Sequence, residues 1–306
     1  MVDIQTATPI SRVWFVTGCS SGFGKLFISS IVARGDRVIA TARNISALSE
    51  FEDRDDVRLM QLDVTQPQSM LNDAVTAAIA TFGQIDVLVN NAGYVLSGVW
   101  EQVSHSQTLD IFATNVFGPI NLSRAVLPHM RARGVGSIVF MSSLAAWLSV
   151  AAGGPYSASK CALEGAAESL QKEVKSFGVE VYIVVLGQFR TGILDSSKRK
   201  VADAVHSPPE YTAILDRHQS RLEKTNGKQP GDPVQAVERI FDVVRHEGYM
   251  AGKKSMPLRI VLGSDAMDIV RGQCQGMLND LQEERYLGES TDFPIPGEEV
   301  AIERYA

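Results

Sequence analysis

Cysteine is scarce: three residues in 306, Cys19, Cys161 and Cys274, with no Cys-x-x-Cys pair among them. An odd, scattered set of this kind argues against a disulfide framework or a zinc site, so no metal is expected and a reducing compartment is. Long apolar runs are also missing. The most apolar stretches, Val181 to Leu186 and the serine-interrupted Leu144 to Ala152, fall far short of the roughly 18 residues that cross a bilayer, so no membrane span is expected. Clustered positive charge is lacking too. Basic side chains number 29 against 35 acidic ones, a net charge of −6. The triplet Lys198-Arg199-Lys200 is too short to supply the phosphate contacts on which nucleic-acid affinity rests. Met1 to Ser11 has neither a basic head nor an apolar core, so it does not read as a secretory leader, and a cytoplasmic protein is expected. What remains, 45% hydrophobic and 21% charged, is an ordinary globular chain long enough to bury a sizeable core.

Short β-branched runs alternate with stretches of helical period, the pattern of βαβ units around a parallel sheet buried on both faces. Strands are predicted over Arg12 to Thr17, Arg37 to Thr41, Val57 to Leu62, Ile85 to Asn90, Ser137 to Ser142, Val179 to Leu186 and Leu258 to Leu262. Helices are predicted over Gly22 to Arg34, Pro67 to Phe82, Thr108 to Arg133, Tyr156 to Phe177 and Asp265 to Glu284, with another opened by Asp232-Pro233 as N-cap and first-turn proline. The fold class is therefore α/β: one doubly wound, mostly parallel Rossmann-type sheet of about seven strands with helices on both faces. Residues 1–306 read as a single domain. A polar, proline- and glycine-punctuated stretch at about 192–230 reads as a helical insertion over a pocket mouth, and 265–306 as a C-terminal extension.

The segment Thr17-Gly18-Cys19-Ser20-Ser21-Gly22-Phe23-Gly24 lies between the first strand and the first helix. Glycines there allow a sharp turn and a close backbone approach, and helix-start amides can hold a pyrophosphate. A dinucleotide site also needs a partner for the adenosine ribose at the end of the second strand, about 20 residues further on, where an acidic side chain favours NAD. This chain has Ala40-Thr41-Ala42-Arg43 instead, while Asp36 sits at the wrong end of that strand and Glu50 comes after it. Arg43 carries the planar, permanent charge that suits a 2′-phosphate, which points to NADP, although an arginine in such a loop can also be a plain solvated cation. Asp63, Asn90-Asn91-Ala92-Gly93, Ser142-Ser143 and Gly187 each follow a predicted strand, and that edge is where open α/β sheets bind ligands.

Tyr156 and Lys160 stand four residues apart at the start of a predicted helix, hence on one face. A free tyrosine titrates near 10, so exchanging protons near neutrality needs a shift of about 3 units, for which a fixed cation has the right sign. Alone, such a pair is more often an ordinary surface contact.

The company it keeps is more specific. Thr17-Gly18-xxx-Gly22-x-Gly24, Asn90-Asn91-Ala92-Gly93, Asn115, Ser143 placed 13 positions before Tyr156 (156 − 143), and Tyr156-xxx-Lys160 together strongly resemble the short-chain dehydrogenase/reductase family, in order and spacing over residues 12–191. The resemblance implies that Tyr156 is the general acid in reduction and that Ser143 hydrogen-bonds the substrate oxygen. Lys160 would lower the tyrosine pKa and hold the nicotinamide ribose, and Asn115 would hold a water leading to Lys160. Gly18, Ser20, Ser21, Gly22, Phe23, Gly24, Arg43, Asp63, Val64, Asn90, Ala92, Gly93, Gly187 and Thr191 would bind the cofactor with Tyr156 and Lys160. Where the family usually has Pro-Gly after the sixth strand, this chain has Leu186-Gly187, which restores an amide and frees φ.

Leu144 to Leu148, Tyr94-Val95, Phe189 and the insertion are expected to wall a hydrophobic pocket for an apolar ketone or aldehyde, or the matching alcohol. Trp147 fits equally as buried packing. Ala158, Ala162, Ala166 and Ala167 spread small apolar residues over several helix faces. In the family such helices pair across a dimer axis, so a homodimer or homotetramer is expected, although burial within a monomer explains the same residues. An NADPH-dependent carbonyl reductase is the leading reading. A non-redox cyclase or isomerase on this fold and a nucleotide-sensing regulator are the alternatives.

Overall fold

A computed structural model of the chain describes residues 11–195, 199–202 and 208–293. Most of the stretch read for a leader, Lys198 of the basic triplet, parts of the 192–230 insertion and the end of the 265–306 extension lie outside the described residues. Seven strands form the central sheet: β1 (Val13–Val16), β2 (Arg37–Ala42), β3 (Val57–Gln61), β4 (Val87–Asn90), β6 (Gly136–Met141), β7 (Val179–Leu186) and β9 (Arg259–Leu262). All pair in parallel, in the order β3-β2-β1-β4-β6-β7-β9. These strands are short apolar runs because both of their faces are covered. Trp14 and Val16 of β1 pack into one core with α1 (Gly22–Ala33) and α7 (Pro233–Arg245), where the Trp14 and Phe241 rings lie 4.6 Å apart. Val13 and Phe15, one step out of phase, pack into the other with α2 (Gln68–Phe82), α4 (Gly118–Arg133) and α5 (Gly154–Val174). The doubly wound α/β sheet predicted from the sequence is present. The chain leaves β1 toward β2 on one side, and β4 flanks β1 on the other, which opens a crevice at the carboxyl edge of the sheet.

Two features depart from the sequence expectation. The single helix expected over Thr108 to Arg133 is instead α3 (His105–Phe112), opened by a Ser104–Gln107 capping box, then a π turn over Ala113–Phe117, then α4. Pro119 accounts for the break: it has no N–H to return to the Asn115 carbonyl four residues earlier, and the Gly118 amide reaches back five residues to Ala113. The second departure is a small ribbon, β5 (Leu96–Ser97) with β8 (Lys200–Val201), which ties the segment after β7 to the segment after β4. Two residues per strand are too few to show a period.

Beyond the sheet, α6 (Thr212–Thr225) lies in the insertion and α7 begins as expected, with the Asp232 carboxylate accepting from the Val234 amide at 2.8 Å. The chain continues through α8 (Ser264–Glu283) and α9 (Arg285–Glu289). Among the described residues no helix is long and apolar enough to cross a membrane.

Candidate active site

The crevice is a groove of about 480 Å³ running over the glycine segment. Gly18, Ser20, Ser21, Gly22, Phe23, Arg43, Asp63, Val64, Ala92, Gly93 and Thr191 all line it. Gly18 and Gly22 take left-handed backbone, φ +69 and +56, and a Cβ on Gly18 would stand 2.8 Å from the Ala92 Cα. Gly24 does not line the groove. It closes the turn beneath it, where a Cβ would meet the Gly18 carbonyl oxygen at 2.3 Å. The first turn of α1 carries no acidic residue and the Ser21 side chain caps nothing, so the helix start presents uncompensated amides to the groove. That is a cradle for a pyrophosphate, and it fits the dinucleotide implied by the sequence.

At the end of β2 only Arg43 offers charge to the groove. Asp36 is buried at the opposite end of the strand, accepting from the Trp14 indole at 2.9 Å and paired with Arg245 at 2.6 Å, and Glu50 pairs with Lys25 at 2.5 Å. Asp63 lines the groove while one of its oxygens holds the Thr65 amide at 2.9 Å. Asn90 is different from its neighbours: it is buried beneath the groove, with its amide donating to the Ser123 hydroxyl at 3.3 Å. Asn91, not singled out among the site residues from sequence, faces the groove and pins its floor by donating to the Thr17 carbonyl at 2.8 Å. The Thr17 hydroxyl in turn accepts the Ala92 amide at 2.9 Å. Lys200 of β8 is a second unforeseen lining residue, its ammonium 4.4 Å from the centre of the Tyr94 ring. Only the folding of β8 onto β5 brings it there.

Phe23, Asn91, Gly93, Tyr94, Thr191 and Ile193 also line a second cavity of about 320 Å³, so the two volumes adjoin. This cavity holds Ser143, Tyr156, Lys160 and Gly187. Ser143 follows β6 and accepts the Ala145 amide at 3.2 Å, which fixes its hydroxyl at the start of a tight turn. Tyr156 and Lys160 sit in the first turns of α5, with the ammonium 5.8 Å from the centre of the phenol ring and donating to the Met141 carbonyl at 2.8 Å. Burial pushes the Tyr156 phenol upward, opposed by a hydrogen bond with Ser143. Burial pushes the Lys160 ammonium down to about 8, opposed by Glu164. The lowering of the phenol expected from Lys160 is thus not found: Ser143 is what opposes burial at Tyr156, and the half-buried phenol and the buried ammonium each resist ionisation.

Asn115 lies in the π turn rather than on a regular helix. Its amide oxygen accepts the Tyr94 amide at 3.1 Å, and its nitrogen donates to the Tyr94 carbonyl and to the Ser159 hydroxyl, each at 3.1 Å. A Cβ on Gly93 would be 3.1 Å from that oxygen and 3.8 Å from the Lys160 ammonium, so Asn115, Gly93 and Lys160 meet at one point. Leu186 extends β7 opposite Leu262, and Gly187 donates to the Leu262 carbonyl at 2.8 Å. The next amide, Gln188, is held by the Asp265 carboxylate at 2.7 Å.

The expected apolar walls are present in Tyr94, Val95, Leu144, Ala145, Leu148 and Phe189. Trp147 is not among them. It packs in the core on the α5 side of the sheet with its indole nitrogen buried, so the packing role is the one it takes. The thiol of Cys19, inside the glycine segment, is pushed up to about 12 by burial and is inert.

The family model for short chain dehydrogenases matches residues 12–202. The chain belongs to the short-chain dehydrogenase/reductase family and is an oxidoreductase of that family. It is 33% identical over 239 residues to an uncharacterised oxidoreductase of Bacillus subtilis, covering 76% of this chain and 84% of that one. It is 35% identical over 254 residues to a 3-ketodihydrosphingosine reductase of Bacteroides thetaiotaomicron, covering 82% and 88%. A short-chain dehydrogenase crystal structure from Streptomyces avermitilis superposes with a TM-score of 0.82 at 36% identity, covering 93% of this chain and all of that one.

Proposed function

We propose that the chain is an NADPH-dependent carbonyl reductase, running as an alcohol dehydrogenase in reverse, for apolar ketones or aldehydes. The observation that carries this reading is the juxtaposition of the two volumes: a cavity holding Ser143, Tyr156 and Lys160 adjoins, through shared lining residues, a groove shaped by Gly18 to Phe23 and charged by Arg43. A bound nicotinamide dinucleotide supplies the hydride. The chain does the rest. Amides at the start of α1 hold the pyrophosphate, Arg43 the 2′-phosphate, Asp63 and Val64 the adenine edge. Thr191 and Gly187 flank the nicotinamide end. Ser143 donates to the substrate oxygen as negative charge grows there, and Tyr156 delivers the proton to it. Tyr156 suits the acid role because burial keeps it protonated, and Lys160, which gives up its own proton at about 8, can replenish it. Asn115 positions that relay through Tyr94 and Ser159.

The apolar cavity walls support an apolar substrate, and one relative is by name a reductase of a keto compound, 3-ketodihydrosphingosine. The described part of the insertion lines the cavity through Ile193, Leu194, Leu222 and Thr225, the whole chain is one domain, and the protein works in the cytoplasm as a homodimer or homotetramer. The test is consumption of NADPH and of NADH over a panel of apolar ketones and aldehydes. NADPH is the expected preference, and Arg43→Ala is expected to weaken NADPH about tenfold or more while leaving NADH unchanged. A wild-type preference for NADH removes the role given to Arg43.

A further inference from the structure

Among the polar side chains of the cavity around Tyr156 that the chemistry above does not use, one stands apart. Gln229 is only 1% exposed and lines the cavity wall, yet neither its amide oxygen nor its amide nitrogen has a hydrogen-bond partner among the described residues. His218 and Ser97, also in the lining, satisfy each other, because the His218 ring nitrogen and the Ser97 hydroxyl lie 3.2 Å apart. Buried carboxamides are ordinarily satisfied, and one left bare at a ligand cavity is the kind of group a ligand completes.

Gln229 is also held in place from outside. The Arg190 guanidinium donates twice to its backbone carbonyl, at 3.3 and 3.1 Å. Two residues on, Gly231 exchanges backbone hydrogen bonds with the loop after β7, donating to the Gln188 carbonyl at 3.0 Å and accepting from the Arg190 amide at 2.9 Å. That loop runs on into Thr191. The bare amide is thus fixed relative to the nicotinamide end of the site, as a selectivity group must be. A carboxamide donates and accepts at once and carries no charge. Arg221, which also lines the cavity, is exposed, and burial with two nearby arginines holds His218 below its ordinary value, so among the described residues Lys160, which serves Tyr156, is the buried cation of this cavity and neither Arg221 nor His218 adds a second.

We propose that Gln229 is a specificity-determining residue whose carboxamide binds a second, neutral polar group of the substrate, a hydroxyl or an amide, carried on an otherwise apolar carbonyl compound. This rests on the carbonyl-reductase reading of the same cavity.

The test uses matched apolar ketones with and without one hydroxyl, its position moved stepwise along the chain, measured by kcat/KM and by calorimetric binding of the corresponding alcohols to the protein loaded with NADP. The wild type is expected to favour at least one hydroxylated member about tenfold in both measurements. Gln229→Leu is expected to erase that preference and leave the plain ketone at or above its wild-type value. Gln229→Met, close in shape to glutamine, gives the same comparison if the leucine variant folds poorly. The proposal is overturned if the wild type ignores the hydroxyl at every position, if the preference survives substitution, or if both substrates fall together. Selective, Gln229-dependent binding without turnover would uphold the subsite and remove the reductase reading instead.

Discussion

Burial works on Tyr156 and Lys160 in opposite directions on the pH scale, and both directions have measurable consequences. Lys160 is lowered from 10.5 to about 8, so between those values the unfolded chain binds the extra proton and the folded protein does not. Stability therefore rises with pH across that window, and below about 8 the folded state carries the full cost of the buried charge. Denaturant titrations should show the wild type gaining on Lys160→Met as pH passes from 8 to 10.5, and a constant difference between the two would contradict it. Carbonyl reduction should decline above about 8 as Lys160 loses its proton, and alcohol oxidation should rise there. Tyr156→Phe should lower kcat/KM for reduction by about 10²-fold to 10⁴-fold, and Ser143→Ala by roughly 10²-fold, with thermal stability little changed in either. These residues were legible because Tyr156-xxx-Lys160 is local and Ser143 lies one loop away. Lys200 and Gln229 were not, and Asn91 stood in its motif without a role: each acts through a contact across the fold, such as the Lys200 ammonium over Tyr94, that no spacing encodes.

Among the elements, the turn from β1 into α1 is the least forgiving. Gly24→Ala would drive a methyl against the Gly18 carbonyl oxygen and the Cys19 Cα, backbone atoms that cannot swing aside. A loss of about 1–3 kcal/mol, read as a lower denaturation midpoint together with weakened dinucleotide binding, is the expected outcome. The loop after β7 depends on α8 in a similar way. Asp265, in the first turn of α8, caps the Gln188 amide and packs against Gly187, so Asp265→Ala should cost about 1 kcal/mol and raise KM for the dinucleotide more than it lowers kcat. Composition located every strand of the central sheet because each is a short run dominated by apolar residues, interrupted only at places such as Arg58 and Glu180. It overran the π turn because Ala113 to Phe117 keeps helical composition and only Pro119 marks the register change.

For the whole molecule, the sheet order, the two cores and the carboxyl-edge site follow from alternating strand and helix patterns, while the outer surface does not. Along α8, Met277, Leu278 and Leu281 are 61%, 59% and 63% exposed, an apolar stripe with nothing over it among the described residues. Self-association would cover such a stripe, and sedimentation velocity is expected to show a dimer or tetramer. A species of monomer mass across the micromolar range would remove the oligomer from the account. The central claim is that one proton from Tyr156 and one reduced nicotinamide are consumed for each carbonyl converted. The direct measurement is the ratio of alcohol formed to NADPH absorbance lost, in the wild type and in Tyr156→Phe. A ratio near one, with both quantities collapsing together in the variant, is the predicted result. Product formed with the nicotinamide band unchanged, or turnover undiminished without the phenol, would contradict it.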